Sequence, residues 1–198
     1  MPTTTDEVGY FESPVRPFAD WLASDLGPAW EAREVEGRLS ELLRQIAPGG
    51  DYTRFLLLPV GTWTCMMSDG PGGTDIGLLP SHAARKVPCR AIRAVRAEPG
   101  DAPYPATILA VYAPDAVDDS LRCRRVLTAA NDGGRWVFDS FGEPFGFEDV
   151  GTYEKRRIRD RFTGEMLMKY LVELGAPAGP FAPADWVSGA YLVEDREA

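Results

Sequence analysis

Thr128-Ala129-Ala130-Asn131-Asp132-Gly133-Gly134-Arg135-Trp136-Val137-Phe138-Asp139 sets an Asn-Asp-Gly-Gly turn, with the only asparagine of the chain, between two runs of strand-forming residues. Asn or Asp followed by Gly supplies the positive φ that a tight hairpin loop requires, so this stretch predicts two antiparallel strands joined at Asn131. Along the second run side chains alternate, with Trp136 and Phe138 on one face and Arg135 and Val137 on the other.

Working outward, the runs 55–58, 61–67, 90–97, 106–112, 124–130 and 135–140 are short, rich in β-branched and aromatic residues, and punctuated by Gly, Pro and Asp. Most links between them are too short for parallel crossovers. The pattern predicts an α+β fold: an antiparallel meander sheet of five to six strands, packed by N-terminal and C-terminal helices.

Helical periodicity brackets the strands. Phe18, Trp21, Leu22 and Leu26 recur at helical spacing until Gly27-Pro28. Ala32, Val35, Leu39, Leu42, Leu43 and Ile46 form an i, i+3, i+4, i+7 stripe that predicts a second helix, stopped by Pro48-Gly49-Gly50. A short helix fits 78–86 and a charged one 148–161. Thr163 reads as the N-cap of a last helix over 163–174, whose apolar face is Met166, Leu167, Tyr170, Leu171 and Leu174. Residues 1–16 read as a flexible lead-in, 17–175 as a single α+β domain, and 176–198 as a Pro/Gly-rich extension. That extension is expected to dock back through Trp186, Tyr191, Leu192 and Val193 as an edge strand.

Composition narrows the chemistry. The chain has 198 residues and a net charge of −9, spread as −5 over residues 1–50, −1 over 51–175 and −3 over 176–198. Such a balance opposes general attraction to nucleic acid or anionic membrane, and favours solubility or a basic partner. Cys65, Cys89 and Cys123 are an odd set with no close pair, which argues against a disulfide framework or a zinc motif. The N-terminus lacks a signal-peptide pattern, and no apolar run approaches the ~18 residues of a membrane span. The expectation is a cytoplasmic protein with no cofactor, no metal and no membrane or nucleic-acid partner. Its oligomeric state is not set by sequence.

His82 is the sole histidine, so two-histidine metal sites cannot form within one chain, and a Ser/His/Asp or Cys/His hydrolase would have to use it. Its setting, Ser81-His82-Ala83-Ala84 at a helix start, reads as an ordinary helical position. The loop 68–75, ending at Asp75, is glycine-rich but lacks the Gly-Lys-Ser/Thr ending of a phosphate-binding loop. Asp132, Asp139, Glu143, Glu148 and Asp149 gather within a short span and could supply acid–base chemistry or hold a hard cation. Each also has a local role in a turn or at a helix start. Lys155, Arg156, Arg157, Arg159 and Arg161 form the strongest basic cluster, suited to an anion clamp or a solvated helix face.

The blocks Gly61-Thr62-Trp63-Thr64, Gly73-Thr74-Asp75-Ile76-Gly77-Leu78-Leu79-Pro80, Cys89-Arg90-Ala91-Ile92-Arg93-Ala94, Tyr104-Pro105-Ala106-Thr107-Ile108-Leu109, Ala130-Asn131-Asp132-Gly133-Gly134-Arg135-Trp136-Val137-Phe138 and Asp160-Arg161-Phe162-Thr163 resemble those of uncharacterised actinobacterial cytosolic proteins. The resemblance spans about two thirds of the chain and implies no catalytic residues, since those proteins carry no established activity.

Two functional expectations follow. The first is a non-catalytic protein-interaction module, in its sharpest form an immunity-type protein neutralising a basic partner. The second is a small-ligand binder or carboxylate-dependent enzyme, with its site near the 70–75 and 139–149 loops. Trp63, Asp75, Arg135, Trp136, Asp139, Glu143, Arg156 and Arg157 are the candidate binding residues; no residue is assigned a catalytic or metal-ligating role.

Overall fold

Short strands set the architecture of the protein, whose computed structural model describes residues 7–46, 54–68, 76–98, 104–116, 120–131, 133–177 and 185–196. The chain divides into two compact units, Met1–Gly77 with Pro180–Ala198, and Leu78–Gly179. Nine strands and four α-helices lie among the described residues, and the strand pairings within each unit are antiparallel. The α+β class and antiparallel pairing agree with the sequence. The strand number exceeds the five to six expected.

The first unit holds β1 (Glu7–Phe11), α1 (Val15–Leu26), β2 (Trp30–Arg38), α2 (Leu39–Gln45), β3 (Phe55–Val60), β4 (Trp63–Ser68) and β9 (Trp186–Asp195), with strand order β2-β9-β3-β4-β1. Phe11, Phe18, Leu22, Leu56, Leu57, Leu58, Met66 and Val193 form its buried centre, where the Phe11 and Phe18 rings stack at 4.2 Å. Three of its strands depart from expectation, each because its partner is remote in sequence. β1 lies inside the stretch read as a lead-in and is held by β4, with Tyr10 opposite Cys65.

β2 occupies the first half of the predicted 32–46 helix. Glu31, Arg33, Glu34, Glu36 and Arg38 suit a strand at the end of the sheet order, where charge discourages further pairing. Gly37, at φ +151°, sits at a register shift against β9, a bulge that an uninterrupted helix could not hold. Only the second half of the apolar stripe becomes helical: α2 buries Leu39 and Leu42. β9 is not the expected edge strand but lies between β2 and β3. Its continuous buried run Ala190-Tyr191-Leu192-Val193 is that of a strand covered on both faces rather than one.

The second unit holds α3 (Leu79–Lys86), β5 (Ala91–Ala97), β6 (Ala106–Tyr112), β7 (Cys123–Asn131), β8 (Trp136–Phe141) and α4 (Gly164–Glu173). Here the strands run as a meander, β5-β6-β7-β8. The hairpin at Asn131 forms with Asn131 opposite Trp136. Asn131 itself ends β7. The positive φ, +92°, belongs to Gly133, whose N–H donates to Asn131 Oδ1 at 3.0 Å. Asp132 lies outside the described residues.

The predicted helix over 148–161 is replaced by two 3₁₀ turns, Val150–Glu154 and Ile158–Asp160. Tyr153 reaches Glu148 through its hydroxyl and Phe138 through its ring, 5.3 Å between centroids, and is the one buried side chain of the first turn. α4 forms as expected. Thr163 Oγ1 accepts the Met166 N–H at 3.3 Å, so Thr163→Ala is expected to cost about 1 kcal/mol in urea unfolding. An unchanged midpoint would remove that cap from the helix's stability.

Candidate functional site

Along β7 the burial alternates, placing Cys123, Arg125, Leu127 and Ala129 inward. Arg125 is therefore directed into the core with only 1% of its surface exposed. Its Nε donates to Glu148 Oε1 at 2.9 Å, and its Nη2 to Glu148 Oε2 at 2.7 Å. Nη1 reaches Ser140 Oγ and the carbonyls of Phe141 and Gly142 at 2.8, 2.9 and 2.8 Å.

Glu148 is equally occupied: Oε1 also accepts the Phe145 N–H at 2.9 Å, and Oε2 the Tyr153 hydroxyl at 2.8 Å. The Tyr153 and Tyr170 hydroxyls approach to 3.3 Å, and Tyr170 Oη accepts the Asp149 N–H at 2.8 Å. Burial alone would raise the Glu148 carboxyl, but hydrogen bonds from Arg125, Phe145 and Tyr153 outweigh it and hold the group below its ordinary range. Burial, with the hydrogen bonds to Tyr170 and Glu148, pushes the Tyr153 hydroxyl well above the usual tyrosine range. Each carboxylate oxygen thus has at least two donors, which fills its acceptor capacity. A general base needs an open lone pair toward substrate, and Glu148 has none to offer. The cluster is a clamp fixing the 141–149 connector to the end of β7.

The clamp presents β8 at the end of the strand order. Asn131 donates its N–H to Pro105 on the β6 side. By the alternation of antiparallel ladders, Val137, Asp139 and Phe141 then bond to β7, while the N–H and C=O groups of Trp136, Phe138 and Ser140 point away from it. The Ser140 N–H confirms that direction by donating to the Asp139 carboxylate at 2.9 Å. No strand pairs with this outer side among the described residues.

The two faces of β8 differ. The face of Trp136 and Phe138 is covered by the two 3₁₀ turns, with Tyr153 and the Arg161 guanidinium against the Phe138 ring. On the other face Val137 and Phe141 are 41% and 51% exposed.

The predicted residues scatter around this edge. Trp136, half-buried, and exposed Asp139 belong to β8; Arg135 is exposed in the hairpin, and Glu143 is exposed in the connector. Arg156 and Arg157 are exposed between the 3₁₀ turns. Trp63 is buried in β4 of the first unit, and Asp75 lies outside the described residues, as does the loop 69–75. Arg125 and Tyr153 were not singled out from sequence, and Tyr170 only as part of the apolar face of the last helix. For Arg125 the signal existed: it falls on the apolar register Cys123, Leu127, Ala129, where an unpaired charge could not remain.

Among the described residues, no group of three or more His, Cys, Asp or Glu side chains is placed to hold a metal ion, and no helix is long and apolar enough to cross a membrane. No protein-family model, curated protein or solved structure matches the chain.

Proposed function

We propose that this protein is a non-catalytic protein-interaction module whose working surface is the outer edge of β8. The observation that supports this reading is the row of outward backbone groups at Trp136 and Phe138, beside exposed Val137 and Phe141. A sheet edge of this kind takes up an extended segment through main-chain hydrogen bonds. An immunity-type role, in which the module neutralises another protein by covering it, is one use of such an edge. The net charge of −9 would speed encounter with a target that is basic as a whole, whereas the charge of the segment that docks is set locally by the groups around β8. The carboxylate-enzyme reading gains nothing from the geometry, because Asp139, Glu143 and Asp149 are exposed and Glu148 is saturated.

Trp136→Pro tests the module. The substitution removes an N–H that points outward, leaving the β7 ladder intact, and proline is tolerated at such edge positions. Co-purification from the native host is expected to recover a stoichiometric partner with the wild type, held about tenfold more weakly by the variant. Hydrogen exchange should show β8 amides protected in that complex. A partner that binds both proteins equally and leaves β8 exchange unchanged would refute the reading.

A further inference from the structure

We infer that the segment this edge accepts alternates acidic and apolar residues and comes from a partner protein, an inference that rests on the β8-edge reading above. A strand added beyond β8 would lie about 4.8 Å away, with its side chains alternating between the two faces of the sheet. On the face of Trp136 and Phe138 they would meet the segment 155–161, which carries Lys155, Arg156, Arg157, Arg159 and Arg161 against the single carboxylate of Asp160. Asp160 neutralises little of this charge: it stands 3.9 Å from Arg157 and 3.7 Å from Arg159, all three side chains being well exposed. Acidic side chains on that face would lie within the screening length of several cations. On the opposite face, apolar side chains would extend the strip of Val137 and Phe141 and cover it.

The edge also carries a guard that sets register. Asp139 occupies the Ser140 N–H, so an incoming strand pairs first with Trp136 and Phe138. A second copy of this chain fits poorly. Antiparallel pairing of β8 with itself about a two-fold axis keeps corresponding faces on the same side. Both 155–161 segments would then share one face of the joined sheet, and two like-charged runs would repel.

Full-length protein titrated with three capped peptides of about eight residues tests the inference: alternating Glu-Val, alternating Lys-Val, and a block arrangement of the same Glu and Val residues. The alternating Glu-Val peptide is expected to protect the Trp136 and Phe138 amides from exchange. Its binding should weaken by at least about tenfold between about 50 mM and about 500 mM salt. The variant Arg156→Glu/Arg157→Glu/Arg159→Glu, checked for unchanged unfolding, should lose it, and the block peptide should not bind.

Protection of β8 by the Lys-Val peptide in place of Glu-Val would overturn the acidic assignment while leaving the edge reading standing. Protection by none of the three would also overturn it, and co-purification with Trp136→Pro then judges the edge separately. Two further results would overturn it: a concentration-dependent dimer abolished by Trp136→Pro, which assigns the edge to a second copy, and charge-dependent binding of a single-stranded oligonucleotide without peptide binding.

Discussion

Replacing Arg125 with alanine is expected to cost about 3–5 kcal/mol of folding stability at neutral pH, because it leaves the Glu148 carboxylate buried without its cation. The loss extends beyond the ion pair, since the Ser140 hydroxyl and the Phe141 and Gly142 carbonyls lose their shared donor. The apolar pair Arg125→Met/Glu148→Leu should lose less than Arg125→Ala, because no uncompensated charge stays buried, while the partners of both side chains at Ser140, Phe141, Gly142, Phe145 and Tyr153 are still left unpaired.

pH supplies a second signature. The folded-state Glu148 pKa lies below its unfolded value, so its contribution is present above the ordinary carboxylate range and disappears as pH falls through the folded value. The Arg125→Ala penalty should therefore shrink in acid, where a neutral Glu148 is cheaper to bury. Urea unfolding of the three proteins at neutral pH and near pH ~4 reads both effects. A double variant as unstable as Arg125→Ala, or a penalty independent of pH, would contradict this account of the clamp.

What could be read from the sequence was what local pattern decides. The hairpin at Asn131, the meander strands around it and the Thr163-capped helix each rest on turn chemistry or periodicity contained within their own segment. The departures among the strands share a cause. β1 and β2 exist because of strands far along the chain, and β2 competed with a helical stripe of which only Ala32 and Val35 lay in its span; β9, expected as a strand, takes its inner place between β2 and β3 for the same reason. Tertiary pairing overrides weak local preference in such places.

The site divides the same way. Arg135, Trp136 and Asp139 entered the candidate set because the hairpin marked them. Their meaning was not legible, since edge position depends on the sheet order and the outward backbone direction depends on register. Glu148 was read as a helix-start acid. Its partner lies 23 residues earlier on another element, and neither local turn chemistry nor dipole arguments reach across that gap.

Clamp and edge are physically one device. The connector 141–149 leaves β8 at the point where Arg125 binds the Phe141 and Gly142 carbonyls, so the guanidinium that stabilises the fold also fixes where the exposed strand ends. A preorganised edge loses less conformational entropy on accepting a strand than one that must first order itself. Arg125 is therefore a positioning residue for the proposed surface, although its own side chain is buried.

Gly142→Ala should expose that dependence, with an expected loss of more than about 2 kcal/mol. Gly142 has φ +80°, and a Cβ there would overlap the Arg124 carbonyl oxygen and press on Arg124 C at 3.1 Å and Arg125 Cα at 3.3 Å. All three obstacles are backbone atoms of β7, which cannot turn aside as a side chain would. Relief requires the ends of β7 and β8 to separate, which lengthens the bond from Arg125 to the Gly142 carbonyl. Gly133→Ala is the matched control. It carries a similar φ of +92°, but its Cβ would meet only the exposed Tyr104 ring at 3.1 Å, so backbone strain of about 1 kcal/mol should dominate. Urea unfolding compares the two losses, and hydrogen exchange reads whether the β8 amides open below the global transition in Gly142→Ala alone. Equal losses with equal β8 protection would mean that the close approach of Gly142 to β7 is not what holds the edge in place.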